Sequence, residues 1–163
     1  MKRLDRDGLL LAKLLGETFE LSKSLLSCSS EIFIRRFFHS NIKDVFDNQS
    51  ILDDCYTPKE IINQFNKEYP KLNYGSFQYS KNELYWIGYM YACFAYTYEL
   101  SYSQIYKLIP PKELASVYPA YHTLSIEQAL ARLLEDKNIS LSLIDFKERA
   151  REMVIEKFKT KTA

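Results

Sequence analysis

Apolar residues recur three and four positions apart along most of the chain, the spacing that places them on one face of an α-helix. The first such stretch predicts a long helix over residues 5–27, with Leu11, Leu15 and Leu26 among its apolar positions. Alternation of apolar and polar residues, typical of strands, is nearly confined to 72–79, where we favour an ordered loop over a small hairpin. The pattern predicts an all-α fold: a single compact helical domain of about seven to eight helices, spanning residues 1–158.

Capping residues mark where several of these helices start. A Ser or Thr followed three positions later by Glu or Gln can satisfy free N–H groups in both directions, which is the capping box. The chain carries four such pairs: Thr57 and Glu60, Ser80 and Glu83, Ser101 and Gln104, Ser125 and Gln128. They predict helices over 58–69, 81–99, 101–109 and 125–136.

The remaining periodic segments predict further helices. One short helix is expected over 32–38, another around Val45 and Phe46, one opening at Pro111, and a last one over 142–158, followed by a frayed tail at 159–163. Prolines such as Pro119 are expected at helix boundaries. The segment 70–80 is a candidate seam between two halves, but composition changes too little across it to predict two domains.

The charge balance argues against a dedicated nucleic-acid binder. Lys and Arg total 22, Asp and Glu total 21, and the formal net charge is +1, whereas such proteins usually show a basic excess. The apolar fraction of 47% and charged fraction of 26% are those of an ordinary globular protein.

The cysteine and histidine counts point away from disulfides and metals. The three cysteines, Cys28, Cys55 and Cys93, are widely separated and odd in number, which fits a reducing cytoplasm. His39 and His122 are too few for a histidine-rich metal site. We therefore expect neither a metal nor a cofactor.

A membrane location is not expected. The uncharged stretch 84–98 is shorter than the ~20 mostly apolar residues that a membrane-spanning helix needs. The basic start Met1-Lys2-Arg3 is followed at once by Asp5 and Asp7, which favours an amphipathic helix over a secretory signal.

The aromatic helix over 81–99 has two interpretations. A helix that is apolar all round is usually buried at the centre of a domain. Alternatively, the side that carries Tyr85 and Tyr89 lines a groove or an interface, where tyrosine is enriched. Gly88 lowers helix propensity by about 1 kcal/mol relative to Ala, so we expect another helix to approach closely there.

Residues 97–109 follow a helix-turn-helix pattern, so DNA binding is one alternative. The candidate contacts on the second helix are Ser103, Gln104 and Lys107. One lysine provides little positive charge for contacts with the phosphates of a duplex.

An enzyme that uses His122 is a second alternative. His122 follows Tyr118-Pro119-Ala120-Tyr121, and a histidine beside aromatic residues is more often packed and hydrogen-bonded than catalytic. Arg35 and Arg36 could hold a phosphate or a partner's carboxylate, or simply form the solvated edge of a helix. The sequence contains no P-loop, glycine-rich dinucleotide loop, His-Glu-x-x-His or Cys-x-x-Cys motif.

Several short strings resemble a family of small, uncharacterised bacterial helical proteins. These strings are Leu84-Tyr85-Trp86-Ile87-Gly88-Tyr89, Ser101-x-x-Gln104-Ile105-Tyr106-Lys107, Tyr118-x-x-Tyr121-His122-Thr123 and Phe33-Ile34-Arg35-Arg36-Phe37. The family pattern often has an arginine after Met90-Tyr91, where this chain has Ala92.

Genes of this kind are similar to ones found beside ADP-ribosyltransferase-like toxin genes. The resemblance implies a non-enzymatic antitoxin or accessory protein that acts by binding a protein partner, with a toxin as the candidate. The residues predicted to contact that partner are Arg35, Arg36, Tyr85, Tyr89, Tyr121 and His122.

Overall fold

The structure is a computed structural model that describes residues 2–138 together with Ile155 and Lys159. The predicted helix over 142–158 and tail over 159–163 otherwise lie outside the described residues. Regular structure in the described part is all helical, with no strand, which confirms the all-α fold. The helices are α1 (Arg6–Leu25), α2 (Ser30–Phe37), α3 (Ile42–Asp47), α4 (Ser50–Asp53), α5 (Pro58–Glu68), α6 (Lys81–Tyr98), α7 (Tyr102–Leu108), α8 (Pro111–Tyr121) and α9 (Ile126–Asp136).

The stretch 41–54 holds two short helices where one was expected. Gln49 separates α3 from α4 because its backbone is left-handed, with φ of 61°. This brings the number of helices within the described residues to nine.

The capping boxes predicted at Thr57, Ser101 and Ser125 form in both directions. At α6 the box is incomplete. The Ser80 hydroxyl accepts from the Glu83 N–H at 3.1 Å, but the Glu83 carboxylate accepts from that same hydroxyl instead of the Ser80 backbone.

Pro119 does not end a helix, contrary to expectation. It lies inside α8, which continues to Tyr121. Proline's fixed φ is compatible with a helix, and the ring is exposed to solvent, so the cost is a lost backbone hydrogen bond near the end of α8.

The chain divides into two compact units, Met1–Thr123 and Leu124–Ala163. The segment 70–80 lies inside the first unit. In the second unit, α9 buries one face, composed of Ala129, Leu130, Leu133 and Leu134.

Helices α1 and α6 form the central pair of the first unit and run antiparallel. Gly8 near the start of α1 faces Tyr96 near the end of α6, and Gly16 faces Tyr85. A Cβ added at Gly88 would lie 2.7 Å from the Leu15 carbonyl oxygen. The close approach predicted at Gly88 is therefore confirmed, and α1 is the helix that approaches.

Phenylalanine rings fill the space beside this pair. Phe19 of α1 is fully buried and meets the edges or faces of three rings of the α2 segment, with ring centroids 5.3 to 6.0 Å apart. Phe33 of α2 continues the cluster to Phe65 of α5 at 5.1 Å. Such pairs each add about 0.5–1.5 kcal/mol beyond burial alone.

The stretch 72–79 is an ordered loop, as predicted. Its backbone is tied to the start of α2: Ser29 and Ser30 donate their N–H groups to the carbonyls of Tyr74 and Phe77, both at 3.0 Å. Gly75 is required here, because its φ is +77° and a Cβ would lie 2.7 Å from the Ser29 hydroxyl.

Within the described residues, no helix combines the length and apolar character needed to cross a lipid bilayer.

Candidate functional site

Five ring-bearing side chains, on α6, on α8 and at the C-terminal cap of α8, remain partly or largely open to solvent and touch one another in two groups. We call them the aromatic surface: Tyr85, Trp86, Tyr89, Tyr118 and His122. Most of α6 is buried, since eleven of its eighteen residues are buried. Burial therefore confirms the first interpretation for most of this helix, and Tyr85, Trp86 and Tyr89 form a narrow half-buried stripe on its remaining side.

Tyr85 and Tyr89 occupy adjacent turns of α6 and stack, with ring centroids 5.9 Å apart. The Tyr85 ring packs on Gly16, so the side of the stripe toward α1 rests on helix backbone. Partial burial raises the pKa of both phenols, and the nearby carboxylates Glu17 and Glu20 raise that of Tyr85 further. Both hydroxyls therefore stay protonated and able to donate near neutral pH.

Trp86 joins α6 to α8. Its ring meets the Tyr118 ring edge-on at 5.6 Å, and Tyr118 in turn stacks on His122 at 4.6 Å. Tyr118 and His122 are four positions apart, so they lie on the same side of α8.

The His122 ring is held by the helix that precedes it. Its Nδ1 lies 2.8 Å from the Tyr118 carbonyl oxygen, which can only accept, so Nδ1 carries the proton. In the neutral ring, Nε2 is then the free acceptor. His122 is exposed, and this arrangement suits a hydrogen bond to a partner.

Three of the six residues predicted to contact a partner belong to the two ring groups of the aromatic surface. Tyr85 and Tyr89 stack, and His122 belongs to the neighbouring Trp86–Tyr118 group. Tyr121 is half-buried at the end of α8.

Arg35 and Arg36 lie elsewhere, exposed on α2. The Arg36 guanidinium sits over the Tyr69 ring at 5.7 Å, and the Arg35 carbonyl oxygen is 2.7 Å from Nδ1 of His39. In the described part of the chain, no hydrogen bond, ion pair or ring contact links either arginine to the aromatic surface.

Two of the three residues predicted to contact DNA form side-chain hydrogen bonds within the fold. The Gln104 side chain accepts from the Ser101 N–H at 2.7 Å, and the Ser103 hydroxyl donates to the Phe38 carbonyl at 3.4 Å. Lys107 is exposed. A single lysine on this seven-residue helix offers little for phosphate contacts.

Sequence reasoning did not select Trp86 and Tyr118 as site residues, although they connect the two helices. The spacing of Tyr118 and His122 would have suggested a shared helix face. Pro119 obscures that signal, because prolines are expected at helix boundaries.

A separate cleft of about 450 Å³ lies between α3 and α5. Its floor is formed by apolar residues that include Ile42, Ile51 and Ile61, and its rim carries Lys67 and Glu68. Both Glu68 carboxylate oxygens already accept from the Asn41 N–H, at 3.0 and 3.2 Å. None of the predicted site residues lines this cleft.

Among the described residues, no group of three or more His, Cys, Asp or Glu side chains is arranged to hold a metal ion. No protein-family model, curated protein or solved structure matches the chain.

Proposed function

We propose that this protein is a binding module that recognises a protein partner through the aromatic surface. The observation that carries the proposal is the stripe on α6: a helix buried over most of its surface keeps Tyr85, Trp86 and Tyr89 partly exposed to solvent. Tyr and Trp supply large contact areas with few rotatable bonds, and they are enriched among the residues that dominate binding energies.

Two further features support this proposal. The rings are held in place before binding, by Gly16 behind Tyr85 and by Tyr118 between Trp86 and His122. Such pre-organisation lowers the entropy cost of association. Each ring also carries a polar group, so the surface offers hydrogen bonds as well as apolar contact.

The specific role we propose is that of an antitoxin or accessory protein that binds and neutralises a toxin in the cytoplasm. This role rests on the resemblance to toxin-associated families, and not on the aromatic surface itself. Binding and neutralisation are therefore tested separately.

The first experiment is affinity capture with the tagged protein from its native cells, followed by mass spectrometry, with and without nuclease. The test variants are Tyr89→Ala and His122→Ala. The matched control is Tyr74→Ala, because Tyr74 is an aromatic residue that is 72% exposed on the loop 72–79. Circular dichroism confirms that each variant is folded.

We expect one stoichiometric protein to be captured by the wild type and by Tyr74→Ala, and captured at least about tenfold less well by Tyr89→Ala. Equal capture by all variants would show that the partner binds elsewhere. Loss of capture after nuclease treatment would favour the DNA-binding alternative.

The second experiment expresses the captured partner alone and then together with this protein. An antitoxin restores growth when co-expressed with its toxin, and Tyr89→Ala should not. A partner that is harmless when expressed alone removes the antitoxin role and leaves the binding proposal intact.

A further inference from the structure

Helix α1 carries a second row of leucines that faces away from its buried side. The members are Leu10, Leu14, Leu21 and Leu25. Leu10 and Leu25 are each 45% exposed, and Leu14 and Leu21 are half-buried. At 3.6 residues per turn the four side chains fall within a stripe roughly 60° wide along the helix. We call it the leucine stripe.

The spacing within the leucine stripe is symmetrical. The intervals are four, seven and four residues, so the stripe is unchanged when read from either end about a midpoint between Glu17 and Thr18. A second α1 laid antiparallel about that midpoint places Leu10 opposite Leu25 and Leu14 opposite Leu21. Such a self-complementary face is what a twofold dimer requires.

The charges beside the stripe suit the same arrangement. Lys13 and Glu20 are seven residues apart and therefore lie on the same flank of α1. In an antiparallel pair the like flanks face each other. Lys13 of one copy then lies about 3 Å along the axis from Glu20 of the other, at a rise of about 1.5 Å per residue. Two equivalent ion pairs result, one on each side of the midpoint.

We propose that the leucine stripe of α1 is the contact between two copies of this chain, with the helices antiparallel. The contact is small: standard interfaces use roughly 20–30 residues a side. The dimer is therefore weak and forms only at high protein concentration. None of the four leucines belongs to the aromatic surface, so dimerisation and partner binding are tested with different variants.

Glu17 gives the pairing a distinctive signature. It lies beside the midpoint, so the axis brings its carboxylate close to that of the second copy. Its own Lys13 is 3.8 Å away in an exposed ion pair and offsets part of this repulsion. Removing the Glu17 charge should therefore strengthen the dimer.

Sedimentation equilibrium of the full chain over a wide concentration range tests the proposal. We expect reversible dimerisation of the wild type and a monomer for Leu10→Glu and Leu25→Glu at the same concentrations. Tyr74→Glu is the control, since Tyr74 is a large exposed side chain, at 72%, and lies on the loop 72–79 and not on α1. A wild type that stays monomeric, or equal loss in Tyr74→Glu, would overturn the proposal.

Charge reversal tests the orientation of the two helices. Lys13→Glu should weaken the dimer at least about threefold, and adding Glu20→Lys to that variant should restore it, while Glu17→Gln should tighten it. Failure of the double variant to recover would contradict the antiparallel register. Tyr89→Ala should leave dimerisation unchanged, so loss of partner binding and loss of dimerisation remain distinguishable.

Discussion

Gly88 on α6 faces the backbone carbonyl of Leu15 on α1, with room for a hydrogen but not for a methyl group. A Cβ at Gly88 would lie 2.7 Å from the Leu15 oxygen and 3.0 Å from the Phe19 ring. The helix axis separation between α1 and α6 is therefore set at this position, because backbone atoms cannot rotate out of the way as a side chain can.

Gly88→Ala should destabilise the protein by about 1–3 kcal/mol, since one of the two central helices must shift. Helix propensity alone would give the opposite sign, a gain of about 1 kcal/mol. Urea denaturation decides between them. Gly16→Ala is a milder comparison, because a Cβ at that position would lie 3.0 Å from the Tyr85 carbonyl oxygen. Its free energy of unfolding should fall less than that of Gly88→Ala. An unchanged or raised midpoint for Gly88→Ala would contradict the close approach.

Tyr91→Phe should lower stability by about 1–3 kcal/mol. The Tyr91 hydroxyl donates to the Ile109 carbonyl oxygen at 2.6 Å, and both residues are 1% exposed, so the carbonyl would be left without its donor. Burial also raises the Tyr91 pKa far above its usual range, which keeps the hydroxyl as a donor. Thermal unfolding measures the loss, and Tyr74→Phe on the exposed loop should cause none.

Acid should weaken the contact between the start of α1 and the end of α6. The hydroxyl of Tyr96 and the Gly8 N–H both donate to the Asp5 carboxylate, which lowers the Asp5 pKa below its usual 3.8. The ionised carboxylate therefore stabilises the folded state above pH 3.8, and this contribution is lost as pH falls through the lowered folded pKa.

The test is the melting temperature at about pH 7 and at about pH 3, on either side of the usual carboxyl range. The melting temperature of Asp5→Asn should fall less on acidification than that of the wild type, because an amide side chain does not titrate. Asp54→Asn, which changes an exposed carboxylate, should behave like the wild type. Equal acid sensitivity in all three proteins would rule out the contribution of Asp5.

Glu99→Gly should stabilise the end of α6. Glu99 has a left-handed backbone, with φ of 53° and ψ of 41°, and its N–H caps the helix by donating to the Ala95 carbonyl. This conformation costs a residue with a Cβ roughly 1–2 kcal/mol. Glycine removes that cost, but it also gives the unfolded chain more conformational freedom, which offsets part of the gain in stability. Glu99→Ala is the control, and it should be less stable than Glu99→Gly by about 1 kcal/mol. Equal unfolding midpoints in urea for the two variants would contradict the strain at this position.

The helices were predictable because their signals are local. A cap such as Thr57 and Glu60, three residues apart, acts within one turn, and its effect does not depend on the rest of the fold. The break between α3 and α4 at Gln49 was not predictable, because glutamine has no preference for a positive φ. Pro119 was misplaced because a proline near the end of a helix costs less than one at its centre, and the sequence does not show which applies.

The site was only partly predictable, because it depends on how distant helices pack. The stripe that carries Tyr85 and Tyr89 follows from helical periodicity. Its connection to His122 passes through Trp86 and Tyr118, which are 32 residues apart and meet only because α8 packs on α6. Arg35 and Arg36 contact Tyr69 and His39 and not these rings, a separation in space that no local pattern encodes.

The loop 72–79 carries two aromatic residues that a chymotrypsin-like protease would favour, Tyr74 and Phe77, at 72% and 66% exposure. A protease must draw several residues of extended backbone into its active site, and here the carbonyls of both residues are already bound by Ser29 and Ser30 at the start of α2. Cleavage therefore has to wait for the loop to detach from α2. The rate of nicking at these two residues would report how often that detachment occurs.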